Sequence, residues 1–259
     1  MRAPGAKGSE ASLIVEHPAV RRILDTQRAW IDGARVIAYR TAVLLDVAKH
    51  STDATAREQA QRWCALVTPV LKAACTQQGF LGASECLQVF GGHGYVREWG
   101  IEQTVRDARV SMIYEGTNEI QAIDLLVRKV LPDGGTAMSG VLIELRDELD
   151  ASRDTDADAQ RRLAQLRYLT TTVAMAAHAA PTLPYEVADD YLRVVMLTLM
   201  AWAWARIDAT PNEGADATRW SQSAAAFRRH VLPEFDMRLG MVKRACEAVT
   251  APAPAATSR

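Results

Sequence analysis

Cysteine is scarce in this sequence, four residues in 259, and its spacing forbids cross-linking. Cys64, Cys75 and Cys86 recur every eleven residues. On one continuous helix that places neighbours ~16 Å apart along the axis. A disulfide needs Cα atoms within about 7 Å. With Cys246 alone elsewhere, all four read as small buried thiols. An excess of one charge is also missing, since 30 Lys+Arg face 31 Asp+Glu. Such a balance creates no field to draw nucleic acid or an anionic bilayer. Long apolar runs are absent too: the most apolar uncharged stretch, Val194 to Ala205, is closed by Arg193 and Arg206. It falls short of the ~20 residues that cross a bilayer, so it reads as a core helix and no membrane span is expected. The first thirty residues hold no basic start followed by an apolar run, so no secretory signal is expected, and the expected compartment is the cytoplasm.

Several chemistries lack their residues. The five histidines, at 17, 50, 93, 178 and 230, include no i,i+4 pair, and CxxC does not occur. No metal site is therefore expected. GxSxG, HExxH and a P-loop are missing as well. Nothing alternates with the two-residue period of a strand, and aromatics make up only 6% of the chain, which suits helices packed through alanine and leucine.

Helical period is what remains. From Ala19 to Lys49 the apolar positions Ile23, Ile31, Ala34, Ala38, Leu45 and Ala48 keep it, with Pro18 suited to a first turn. Ala54 to Phe90 repeats the pattern, with a bend or split expected at Pro69 and a stop at Gly91 and Gly92. An irregular stretch to Gly116 should hold one short helix near Ile101 to Arg109. Thr117 and Asn118 then offer N-caps for a helix to Val130. Leu131-Pro-Asp-Gly-Gly135 is the clearest boundary. Beyond it four helices are expected: Met138 to Ala151, Asp158 to Ala180, Pro184 to Asp208, and Asp216 to Val249 bent at Pro233. The expected architecture is all-α: a flexible lead at 1–17, a helical domain at 18–131, a second bundle at 136–249 and a disordered tail at 250–259.

Two segments could carry chemistry. Gln88-Val-Phe-Gly-Gly-His-Gly-Tyr95 holds three glycines without matching GxGxxG, and it ends a helix instead of joining a strand to one. It is either a helix stop with a tight turn, or a place where Gly91 and Gly92, lacking Cβ atoms, let the backbone approach a phosphate-bearing ligand. In Val110-Ser-Met-Ile-Tyr-Glu-Gly-Thr-Asn-Glu119, Glu115 follows an apolar run at a helix entrance. Partial shielding from water would raise its pKa towards that of a general base. Alternatively it decorates the next helix N-terminus, worth ~0.3 to 1 kcal/mol. Trp202, Trp204, Met196 and Met200 are spaced as plain core.

The run from Gly79 to Leu131 resembles the C-terminal helical domain of flavin-dependent acyl-CoA dehydrogenases. QVFGGHGY and RDARVSMIYEGTNEIQ stand in that family's order and at its spacing, and EHPAVRRIL, Glu16 to Leu24, extends the likeness backward. The helices from Met138 to Val249 resemble the extra bundle of the longer members, such as those acting on 3-methylmercaptopropionyl-CoA. The resemblance implies that Glu115 is the base that removes the α-proton of an acyl-CoA, and that Gly116 contacts the thioester. It implies that Thr117, Asn118 and Glu119 contact FAD, and that Gln88, Val89, Phe90, Gly91 and Gly92 cradle the FAD of a neighbouring subunit in an oligomer. An electron-transferring flavoprotein would be the redox partner. Arg106, Asp107 and Arg109 are expected to form ion pairs that fix the loop. The family's N-terminal helical domain and β-rich middle domain, with the first helix of the C-terminal domain, have no counterpart here. The expected function is thus the C-terminal part of such an enzyme, active only when joined with the missing domains, either on a separate polypeptide or in a longer native chain. The alternative is a non-catalytic helical interaction module.

Overall fold

In the computed structural model, which describes residues 11–151, 156–211 and 217–250, every regular element is a helix and no strand occurs among the described residues. The all-α expectation holds. Pro18 opens α1 (Pro18–His50), where its missing N–H costs nothing because a first turn has no intrahelical acceptor for it. Two residues after Ser51, Asp53 caps α2 (Ala54–Val89), its carboxylate accepting from the N–H groups of Thr55 and Ala56. The short link makes α1 and α2 a helical hairpin. Pro69 does not split α2, which runs on for five further turns with the proline ring buried.

The lead expected at 1–17 falls partly outside the described residues, and Ile14–Glu16 forms a 3₁₀ turn. After α2 come two more 3₁₀ turns, Gly91–Tyr95 and Arg97–Trp99, then α3 (Ile101–Val110) and α4 (Asn118–Ile123). The helix expected to reach Val130 does so as a wider turn over Asp124–Val130. Asp133 stops the chain at the predicted boundary, and its carboxylate receives the N–H groups of Gly135, Thr136 and Ala137 at the entrance of α5 (Thr136–Asp150).

α6 (Ala157–Ala179) and α7 (Leu183–Asp208) follow the expected spans. Every residue from Val194 to Ala205 is buried, as a core helix requires. Burial of each large apolar side chain there is worth roughly 1.5–3 kcal/mol. The last helix is not one bent rod: α8 (Ala217–Ala226) and α9 (Pro233–Thr250) are separated by a π turn at Phe227–Val231. Pro233 lacks a donor, and the ladder before it widens so that Leu232 N donates to Phe227 O at 2.9 Å. The expected start at Asp216 and the tail from 251 lie outside the described residues.

α7 packs against α1, α2, α4, α5, α6 and α9, so one continuous hydrophobic core joins both halves of the chain. Within it the Arg40 guanidinium lies between Trp63 and Trp202, 4.5 and 4.9 Å from the ring centres, and forks onto Glu148 at 2.7 and 2.9 Å. Cys64 and Cys246 are buried, Cys75 and Cys86 half-buried, and all four are free. Burial pushes each thiol above its ordinary value.

Candidate functional site

The segment from Ile113 to Glu119 is held from beneath by α2. Asn118 is its anchor. The Asn118 side-chain amide donates to Ala73 O at 3.1 Å, while its oxygen accepts from Lys72 Nζ at 3.1 Å and Thr76 Oγ1 at 3.0 Å. Its backbone N–H reaches back to Met112 O at 3.1 Å. Lys72 also donates to the carbonyl of Gly116, and the Gln121 amide donates to the carbonyl of Glu115 at 3.1 Å. With the inner carbonyls tied down, the N–H groups of Glu115, Gly116 and Thr117 have no acceptor among the described residues. The loop thus offers three consecutive free donors, the kind of arrangement that polarises an anionic or carbonyl oxygen.

Backbone conformation marks the same spot. Glu115 has φ 57° and is the one non-glycine residue with positive φ among the described residues, followed by Gly116 at φ 86°. A non-glycine residue there costs of order 1–3 kcal/mol and persists only where its surroundings over-determine it. The hydrogen bonds to both carbonyls are those surroundings. Lys72, Thr76 and Gln121 were not anticipated from the sequence. Lys72 did leave a signal, as a lone charge within the apolar run Val67 to Ala74.

Shielding is where the expectation for Glu115 needs correction: its side chain is exposed, and this chain does not withdraw it from water. The cover is missing from a surface that is itself apolar. Ile113, Tyr114, Val110 and Ile120 are all about half-exposed. Gly116 and Glu119 are exposed, Thr117 is half-buried, and Asn118 is turned inward. Thr117 is the N-cap, its hydroxyl oxygen accepting from Ile120 N at 3.3 Å. Glu119 is held below the usual carboxylate range by its own backbone N–H first and the Thr117 hydroxyl second, so it stays ionised at the helix entrance.

The glycine stretch lies elsewhere on α2. Gln88 and Phe90 are exposed and Val89 half-buried at its C-terminal end, thirteen residues beyond Thr76. That is ~20 Å along the axis, so a single chain does not bring the two motifs together. Gly91 ends the helix with φ 60°, and a Cβ on Gly94 would sit 2.5 Å from Leu87 O. Both are glycine for the fold's sake. Gly92 is not: its φ is ordinary and a Cβ there would meet nothing within 4 Å. Around it Phe90, Tyr95 and Trp99 remain exposed, with Trp99 edge-on to Phe90 and His93 at 6.3 and 5.1 Å.

The ion pairs expected of the RDAR run do not form among the described residues. Asp107 accepts instead from Gln103 one turn earlier at 2.7 Å, and Arg109 lies over the Phe80 ring at 5.8 Å. α3 is largely exposed, where such pairs are worth little. Trp202, Trp204, Met196 and Met200 are buried, as expected of core. Among the described residues no group of His, Cys, Asp and Glu could hold a metal ion, and no helix is long and apolar enough to cross a membrane.

Asn118→Ala would remove the anchor and leave the Ala73 carbonyl and the Lys72 ammonium short of a partner. The expected cost is about 1–3 kcal/mol, read as a lowered midpoint in urea unfolding.

Comparison with known proteins agrees on the first half of the chain. Residues 6–130 match the family described as acyl-CoA dehydrogenase, C-terminal domain. The chain is 45% identical over 126 residues to the 3-methylmercaptopropionyl-CoA dehydrogenase of Ruegeria pomeroyi, a match covering 49% of this chain and 21% of that protein. It is 34% identical over 168 residues to the broad-specificity linear acyl-CoA dehydrogenase FadE5 of Mycobacterium tuberculosis, covering 63% and 27%. The chain therefore spans about a quarter of the length of these relatives. In fold it is similar to Caenorhabditis elegans ACDH-11 in complex with C11-CoA, with a TM-score of 0.66 at 19% identity, over 96% of this chain and 43% of that one. A Bacillus anthracis acyl-CoA dehydrogenase complexed with FAD gives 0.62 at 18%, over 96% and 48%.

Proposed function

Because the first half of the chain belongs to the acyl-CoA dehydrogenase C-terminal domain family, we propose that it supplies one wall of a flavin-dependent site that desaturates an acyl-CoA thioester. The observation that carries this reading is the strained turn at Glu115. There an ionisable side chain, three free N–H donors and exposed apolar residues meet on a loop fastened from below.

In this reading Glu115 accepts the α-proton of the bound thioester. An α C–H is acidic enough only if the carbonyl oxygen is stabilised as negative charge develops, and the N–H groups at 115–117, which have no acceptor among the described residues, would serve that task. Cover from further protein over Ile113, Tyr114 and Ile120 would dry the carboxylate and raise its basicity. What FAD supplies when bound is acceptance of the β-hydride, which leaves a trans-2-enoyl thioester. Gln88, Val89, Phe90, Gly91 and Gly92 would hold the cofactor of a neighbouring subunit, in keeping with their ~20 Å separation from the loop along α2. Thr117 and Glu119 would face FAD, whereas Asn118 acts through the loop it anchors.

The residues present fit such a cofactor, because Gly92 is a glycine that the fold does not require. Gly92→Val should therefore leave the unfolding free energy within about 0.5 kcal/mol of the parent while lowering flavin uptake at least tenfold. Uptake is read from the yellow absorbance of FAD bound to the chain, alone and mixed with the polypeptide encoded immediately upstream. Uptake in the mixture, lost in Gly92→Val, supports the reading. No uptake under either condition overturns it and favours the non-catalytic helical module.

A further inference from the structure

We infer that Lys72 is a positioning residue for the reaction: its ammonium, bound to the carbonyl of Gly116, polarises the Gly116–Thr117 peptide and makes the Thr117 N–H a strengthened donor for the thioester oxygen. The inference rests on the desaturation reading of the loop and adds to it a residue from another helix.

A tether alone does not account for a lysine here. Asn118 is already fixed through Ala73 O, Thr76 Oγ1 and Met112 O, and the Glu115 carbonyl through Gln121. Removing Lys72 would leave those bonds in place. Ordering so long a side chain costs up to about 2 kcal/mol of rotamer entropy, and a neutral donor would tie the carbonyl as well. What lysine adds is charge. Both its acceptors, Gly116 O and Asn118 Oδ1, are neutral, and no carboxylate forms an ion pair with it among the described residues.

The peptide group transmits that charge. The carbonyl and N–H of one trans peptide unit share a plane and point in opposite directions. With the Gly116 carbonyl turned to Lys72 on α2, the Thr117 N–H points away from Lys72, and it has no acceptor among the described residues. A charge-assisted hydrogen bond is roughly twice as strong as a neutral one, and a bond at one end of a polar group strengthens the bond at its other end. Gln121 acts in the same way, without charge, on the Glu115–Gly116 peptide.

Proton abstraction moves negative charge without creating any. The α C–H bond breaks and its proton goes to the Glu115 carboxylate. The C–H electron pair becomes the enolate C=C bond, and the carbonyl π pair moves onto the thioester oxygen. A cation acting alike on carboxylate and oxygen would gain little, so only a contact directed at the oxygen speeds the step. The polarised N–H is such a contact.

Two measurements on Lys72→Met, Lys72→Gln and Lys72→Arg test the inference. In the chain alone, ¹H–¹⁵N correlation spectra should show the Thr117 amide proton moved upfield in both neutral variants, further than those of Glu115 and Gly116, and little moved in Lys72→Arg. In the flavin-loaded assembly, exchange of the thioester α-hydrogen with deuterated solvent should slow about tenfold in both neutral variants, less than the ~10²- to 10³-fold that follows loss of a whole donor. The dissociation constant of the thioester should stay within about threefold, as for a contact made chiefly in the transition state. Lys72→Arg keeps charge and donors and should exchange within about threefold of the parent. Helical circular dichroism checks the fold, and Lys72→Gln, which keeps a neutral donor, is read where Lys72→Met fails that check. A Thr117 amide that ignores the loss of charge overturns the inference, as does exchange that is unchanged in the neutral variants or slowed as much in Lys72→Arg. A parent assembly without exchange overturns the desaturation reading, and this inference with it.

Discussion

Replacing Glu115 by Gln in the flavin-loaded assembly lowers the rate of flavin reduction by acyl-CoA by about 10²- to 10⁴-fold, the range for loss of a general base. Binding of the thioester should change little, because the amide keeps the size and hydrogen-bonding reach of the acid. Glutamine tolerates the φ of 57° no better and no worse than glutamate, so the turn and its N–H donors stay where they are. The substitution isolates proton acceptance from loop geometry. A variant with normal reduction and weakened binding would place Glu115 in recognition and leave the base unassigned.

The second large effect is on stability. Arg193 is 4% exposed, lies over Trp30 at 4.4 Å, and forks onto Glu234 at 2.8 Å through Nε and Nη2. Removing the carboxylate leaves a buried guanidinium without its counter-charge, which costs roughly 3–5 kcal/mol in fully buried pairs. Because the Glu234 side chain keeps 24% of its surface in water, the lower end is expected for Glu234→Gln, about 3 kcal/mol.

Acid should act through the same carboxyl. Burial alone would raise its pKa, but the hydrogen bonds and charge of Arg193, with Arg238 beside it, outweigh burial and hold it below the ordinary 4.5. A carboxyl depressed on folding stabilises the native state fully above its unfolded value, and that stabilisation is lost as pH falls through the lower folded value. Thermal midpoints should therefore drop as pH falls from about 5 towards 3, and the Glu234→Gln curve should be flatter over that window. Asp189, pushed up by burial, contributes in the opposite sense. Parallel curves for parent and variant would remove Glu234 from the account.

Helices were legible because apolar period and breakers carry their own signal. Pro18, Asp133 and the Gly91 stop lie where the spacing puts them, and the uncharged stretch of α7 could only be core. The π turn before Pro233 was not legible as such, since a proline in a long pattern predicts a disturbance without saying which hydrogen bond widens. The loop at Glu115 was visible as a motif, but its support was not. Lys72 and Thr76 reach Asn118 across more than forty positions, and only packing of α4 onto α2 reveals that Asn118 faces inward. The RDAR run misled because charge in sequence predicts pairing, whereas an exposed short helix lets Gln103 and Phe80 serve instead. Gly92 stands out only once Gly91 and Gly94 are seen to have structural reasons of their own.

Exchange of the thioester α-hydrogen with deuterated solvent tests the role of Glu115 most directly, followed by mass spectrometry on the flavin-loaded assembly of this chain. The parent should wash the α-position with solvent deuterium, and Glu115→Gln should show no exchange above the uncatalysed rate. Equal exchange by both would contradict the assignment and move the base to another residue.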